Sequence, residues 1–186
     1  MSLLHQTVVS AALESKAEPN SPSADSKKHE RFYLEDGNVK LLLHAVLYHV
    51  HRYFFRDSTL MSGATTSPIK LTCVQSVEFD AFLAILYPSN YATCELATFE
   101  EWTSVLRLAS QWGFQNIRDL AIARLKPITS AIDKVVLSHT YPFLETWAVL
   151  GYAELCARAA PLSLAEAGRL GLEGVLLVCN MRENTR

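Results

Sequence analysis

Glycine is scarce in this chain, seven in 186 residues. No Gly-rich loop is available to bring backbone N–H groups against a nucleotide phosphate, so a phosphate-cradling site has no support. A nucleophile-elbow glycine pattern and a His-Glu-x-x-His helix are missing too, which removes the commonest local signatures of a serine hydrolase or zinc protease. The four cysteines, Cys73, Cys94, Cys156 and Cys179, are dispersed without a Cys-x-x-Cys pair. That spacing excludes a zinc ribbon and a dithiol redox motif, and reduced thiols are expected. No apolar run approaches the roughly 20 residues that span a bilayer. Met1 to Leu13 lacks a basic leader followed by a sustained apolar run, so no secretory signal or membrane partner is expected and a cytoplasmic or nuclear location follows. A formal net charge of −2, from 17 basic and 19 acidic residues, leaves no electrostatic footprint for nucleic acid.

What is present is a well-proportioned interior. Hydrophobic residues make up 49% and charged residues 19%, as in a packed globular protein. A chain of this length buries roughly 70% of its unfolded surface and needs neither disulfide nor metal to do so. It suits one domain with a small appendage.

Residues 1–30 are rich in Ser, Ala, Pro, Glu and Lys with weak periodicity, and read as a disordered leader. Arg31 to Leu34 is a short aromatic strand candidate, followed by the turn signal Asp36-Gly37-Asn38. Val39, Leu41 and Leu43 share one strand face at period two, while Leu42 on the other face implies burial on both sides. A turn at His44-Ala45 returns the chain as Val46 to Val50, giving a hairpin. Arg52 to Phe55 enters a helix, residues 57–68 form a loop, and Ile69 to Val74 is a further strand.

The remainder is helical. Phe79, Phe82, Leu83 and Leu86 make one face of a helix that Pro88 stops. Thr98 and Glu101 form a capping box before the stripe Phe99, Trp102, Val105, Leu106, Ala109 and Trp112, with Gly113 at the C-cap position. Ile117, Leu120, Ala121 and Arg124-Leu125 mark the next helix, ended by Pro127. Ser130 with Asp133, the run Trp147, Leu150, Ala153 and Leu155, and Ser163 with Glu166 announce three more, with Gly171 ahead of a last short helix holding Val175 to Val178.

The strings Phe32 to Val39, His49 to Ser58, Ser67 to Leu71 and Phe79 to Pro88, with Glu101 to Leu106, Ala109 to Pro127 and Leu162 to Leu172, are similar in order and spacing to fungal-type BTB/POZ proteins. The resemblance covers about residues 31–186. It implies an α+β (α/β) fold: a small mixed sheet capped by a helical bundle over residues 31–127, with a helical extension over 128–182. It also implies a non-enzymatic protein-interaction module without cofactor, self-associating or binding another protein such as a transcription factor or a ubiquitin-ligase scaffold. In this family the dimer surface is built from the first hairpin and first helix, which places Leu42, Arg52, Tyr53, Phe54 and Phe55 at the interface, and the ring at the position of His51 is a packed structural element.

The chain departs from the family twice. Domain-swapped homodimers pair an Asp at the start of the first hairpin with a basic residue after the His. Here those positions hold Asn38 and Arg52. A buried Arg without its carboxylate is costly, so Arg52 is expected to be solvated or paired elsewhere. The family's helical hairpin after Phe55 is also cut to Arg56 to Ser67, and its second helix is expected to be reduced. The core face beneath it is then left to solvent, to the leader or to a partner. A cullin adaptor is the second candidate; its usual hydrophobic-x-Glu loop motif is missing from Gly63 to Pro68.

Three further groups invite chemistry. His44, His49 and His51 could begin a metal centre, and a metal-dependent enzyme is the rival from a different class. No Asp, Glu or Cys stands beside them at a ligating spacing. Trp102, Trp112 and Trp147 with Phe99 and Phe114 could form an aromatic binding surface, but their helical spacing favours core packing. Arg118, Arg124 and Lys126, interleaved with Asp119, read as a solvated helix face.

Overall fold

The computed structural model describes residues 26–61 and 68–184. They form a small four-stranded mixed sheet and six helices: β1 (Lys27–Tyr33), β2 (Val39–Leu43), β3 (Val46–Val50), β4 (Ile69–Lys70), α1 (Ser76–Leu86), α2 (Phe99–Trp112), α3 (Gln115–Leu125), α4 (Ala131–Thr140), α5 (Glu145–Ala157) and α6 (Leu164–Asn184). The sheet order is β1-β3-β2-β4. β2 and β3 are the antiparallel hairpin, with Val39 opposite Val50 and Leu43 opposite Val46. β1 runs parallel to β3, and β4 parallel to β2. His44 and Ala45 turn the hairpin with φ of 44° and 67°. Positive φ at both central residues matches the right-handed strand twist, although neither residue is the usual Gly or Asn.

The leader is shorter than the sequence implies. Residues 27–30 belong to β1, whose Lys27 N–H donates to the Ala45 carbonyl at 2.9 Å. Charged residues hid the strand because an edge strand tolerates Lys on its open side. β1 carries a bulge: Lys28 pairs with Leu47, and Tyr33 with His49. The His29 ring braces it, Nδ1 accepting from the N–H groups of Arg31 (3.2 Å) and Phe32 (3.0 Å). The rest of the leader, residues 1–25, lies outside the described residues. At the other edge, Ile69 to Val74 is extended only over Ile69–Lys70, because Cys73 sits at φ 62° and turns the chain out of the strand.

α1 and α2 supply the centre. Phe79, Phe82 and Leu83 of α1 are fully buried, as are Val105, Leu106 and Leu108 of α2. Trp112 meets Phe79 and Phe82 edge-on at 5.9 and 5.3 Å between ring centroids, the geometry that aligns ring edge with ring face. Against the sheet, Leu41, Leu43, Tyr48 and Val50 are fully buried. Both helices are capped reciprocally, by Gln75 with Glu78 and by Thr98 with Glu101. Glu78 also binds the Arg107 guanidinium of α2 at Nε (3.1 Å) and at Nη2. Gly113 ends α2 at φ 81°, where any side chain would be strained.

Packing does not part at Pro127. Leu137, Leu144 and Trp147, from the extension, belong to the same cluster as the sheet and α1–α3. A second, smaller cluster joins Ile132, Val135, Leu155, Leu170 and Val178. α4 contributes to both. α4 and α5 cross closely at Gly151, where a Cβ would lie 2.6 Å from the Ala131 carbonyl oxygen. α6 is kinked at Gly171 (φ 73°, ψ 168°), so the short last helix foreseen around Val175 to Val178 is its second half.

Candidate interaction surface

After β3 the chain makes a 3₁₀ turn over Arg52–Phe55 rather than an α-helix, then a second over Thr59–Met61. The turn is fixed from two sides. The Arg52 N–H donates to Asn38 Oδ1 at 2.7 Å, and the buried Ser58 hydroxyl donates to the Phe55 carbonyl at 2.7 Å. Phe55, Ser58 and Met61, spaced three apart, turn inward, while Arg52, Tyr53 and Phe54 stay outside.

The five residues assigned to an interface therefore separate. Phe55 is fully buried, edge-on to Phe114 at 5.9 Å. It is a core residue with no surface for a partner, which corrects its assignment. Tyr53 is 68% exposed and Phe54 37%. Phe54 stands edge-on to Tyr87 at 5.1 Å and to Tyr53 at 5.6 Å. Arg52 is exposed. Leu42 is half-buried on the opposite sheet face from Leu41 and pairs with Leu47. It lies three residues along the hairpin from the Val39–Val50 end that feeds the turn, about 10 Å at strand rise, and does not join the aromatic patch.

Sequence reasoning missed the floor of that patch. A cleft of about 260 Å³ is lined by the apolar Phe54, Leu86, Phe114 and Ile117 together with Gly113 and the polar Asp57, Ser58, Gln115 and Asn116. A wider opening of about 440 Å³ adjoins it between Arg52, Arg56 and Met61. Arg56 lies over the Tyr53 ring at 5.2 Å and pairs with Asp57 at 3.1 Å. The clefts lie beside the segment Arg56 to Ser67, of which residues 62–67 are outside the described residues. The available signals were Leu86 at the end of the α1 stripe and Phe114 directly after the α2 cap: apolar side chains beyond the turns that bury their neighbours.

Beneath the patch lies a polar joint. The Tyr87 hydroxyl accepts the His51 N–H at 2.9 Å and lies 3.2 Å from His51 Nδ1, while His51 Nε2 is 3.2 Å from Asp36. Burial raises the Tyr87 pKa. A parallel joint sits under β1, where Asp80 accepts from the buried Tyr48 hydroxyl (2.9 Å) and stands 3.2 Å from His29 Nε2. Burial first, and Asp80 second, push Tyr48 upward. Both joints tie the sheet to α1. His51 is thus a packed, hydrogen-bonded ring. His49 stacks obliquely on Tyr33 at 5.2 Å, and His44 is exposed in the hairpin turn. Among the described residues no three His, Cys, Asp or Glu side chains converge to hold a metal. Trp102, Trp112 and Trp147 are buried and Phe99 and Phe114 pack partly buried against the same core, so the aromatic set belongs to the interior. No helix among the described residues is long and apolar enough to cross a membrane. No family profile, characterised protein or solved structure matches the chain.

Proposed function

We propose that the chain is a non-enzymatic protein-interaction module of the BTB/POZ kind, and that it docks protein, another copy of itself or a different chain, over Tyr53 and Phe54. What carries the reading is one observation: Phe54 is exposed and lines a cleft with Leu86, Phe114 and Ile117, and the still more exposed Tyr53 stands edge-on beside it. Aromatic side chains over an apolar pocket are the usual anchors of protein interfaces, because they bury large area at small entropic cost. The segment Arg56 to Ser67, short against the family's helical hairpin, is consistent with it as well, since less chain is on hand to cover this face.

Neighbouring substitutions separate association from folding. Phe54→Asp keeps the wild-type circular dichroism spectrum and loses association in light scattering across a concentration series. Phe55→Asp puts a charge into the core and unfolds the chain, at a cost of several kcal/mol. A wild-type chain monomeric at every concentration moves the docking partner to a different protein. A Phe54→Asp chain that associates like wild type removes the surface.

A further inference from the structure

The helical extension carries a second apolar face, remote in sequence from the Phe54 cleft. In α6 the buried positions are Leu170, Gly174 and Val178. On the opposite side of the helix, Leu172, Leu176 and Cys179 follow i, i+4, i+7, and Leu177 flanks them. Leu172 is 77% exposed, Leu176 53% and Leu177 42%; Cys179 is exposed. α5 repeats the pattern: Gly151 and Leu155 face inward, while Val149 (68%) and Leu150 (49%) face out. A helix with apolar residues on both sides is one built to be covered on both sides.

The charges around these stripes are one-sided. Every cation of α4–α6 is already engaged. Lys134 pairs with Glu154, Arg169 with Asp133, and Arg158 with Glu166 (2.6 Å). Arg182 donates to the carbonyls of Leu155, Arg158 (3.2 Å) and Ala160 (3.0 Å), capping the end of α5. Three carboxylates of these helices, Glu145, Glu173 and Glu183, are exposed and take part in none of these pairs. Glu145 lies one turn before Val149 on α5. Glu183 continues the line of Leu172, Leu176 and Cys179 on α6 at i+11, and Glu173 borders Leu177.

We propose that the outer face of α5–α6 docks a basic amphipathic helix of a partner protein, its apolar stripe on the leucines and its Lys or Arg flanks on the three carboxylates. A second copy is disfavoured by the same charges: an antiparallel two-fold pairing centred on Val178 sets Glu173 against Glu183, and a parallel one sets each Glu against itself. Residues 1–25 carry Lys16 against Glu14, Glu18 and Asp25 and offer no positive flank.

The probe is a synthetic amphipathic helix of about 18 residues, long enough for five turns, with leucines on one face and lysines beside them. Its control replaces every Lys by Glu. Amide shifts of the full chain are followed by NMR during titration. The proposal expects shifts at 145–157 and 172–183, affinity at least about tenfold weaker for the Glu peptide, and weakening as salt rises. Leu172→Ser/Leu176→Ser, both exposed, leaves the circular dichroism spectrum unchanged and weakens binding about tenfold. Shifts elsewhere or none, equal affinity for the two peptides, or an unaffected double variant overturns it. Self-association lost in that double variant assigns the face to a second copy and overturns it also.

Discussion

The sheet with α1–α3 and the helical extension solve the same problem differently. The first buries aromatic rings: Phe32, Tyr48, Phe55, Phe79, Phe82, Trp102 and Trp112 share one cluster with the aliphatic faces of β2 and β3. The second shares that cluster only through Leu137, Leu144 and Trp147, adds a five-residue one of its own, Ile132, Val135, Leu155, Leu170 and Val178, and is stitched at its surface by ion pairs among α4, α5 and α6. A five-residue cluster contributes little burial, so close helix approach and capping must do more of the holding. Stability is accordingly expected to be uneven, with the extension opening before the sheet.

The comparison is broken most forcefully in the aromatic cluster. Phe82→Ala removes a fully buried ring that meets Trp112 at 5.3 Å and Phe114 at 5.1 Å. It should cost about 3–5 kcal/mol and lower the midpoint of denaturant unfolding for the whole chain. Gly151→Val acts only on the extension. Its side chain meets the Ala131 carbonyl and Val135 Cγ2, the latter 2.7 Å from the Cβ position, forcing α4 and α5 apart at about 1–3 kcal/mol. Hydrogen exchange should quicken across 131–184 while β2 and β3 keep their protection. Equal loss of protection in both regions would make them one cooperative unit.

Smaller changes sharpen the contrast. Ala45→Gly relieves a positive φ in the hairpin turn and should raise stability by about 0.5–1 kcal/mol, read from the same denaturant midpoint. Each region also holds one carboxylate far below its usual range. Glu95 is held at about 2 by the Arg31 guanidinium and the Ser89 N–H, and Glu166 at about 2 by Arg158 and the Ser163 N–H. Both pKa values are depressed on folding. Their contribution is therefore present above the ordinary value of 4.5 and fades as pH falls toward 2. Glu95→Gln and Glu166→Gln should melt below wild type at neutral pH, with the gap closing through that acid window. In hydrogen exchange Glu95→Gln should loosen β1 and Glu166→Gln the α5–α6 junction. A gap that persists at pH 2 would mean the carboxylate charge is not what matters.

The helices were legible because periodicity and caps agree. Thr98, Glu101 and Gly113 bound α2 at both ends, and its stripe is the buried face. The hairpin was legible for the same reason, with Leu41 and Leu43 inward at period two. β1 was legible only in its second half, Arg31 to Tyr33, because its Lys-Lys-His-Glu start is compositionally a tail that becomes strand through pairing with β3 and the His29 brace. The division of Arg52 to Phe55 also escaped the sequence. A run of three aromatics does not say which ring turns inward until the tertiary contacts are known, here Phe55 on Phe114 and Phe54 on Tyr87. The cleft floor was hidden because Leu86, Phe114 and Ile117 come from two helices and a cap whose convergence is purely tertiary.

The docking surface has its most direct test in photo-crosslinking. A benzophenone amino acid replaces Phe54 in one chain and Tyr91, 93% exposed and outside the cleft, in another. Protein adducts, to the same chain or to a different one, should form at position 54 and be sparse at position 91. Equal yields at the two positions, or none at position 54, would contradict a docking role for the Phe54 cleft.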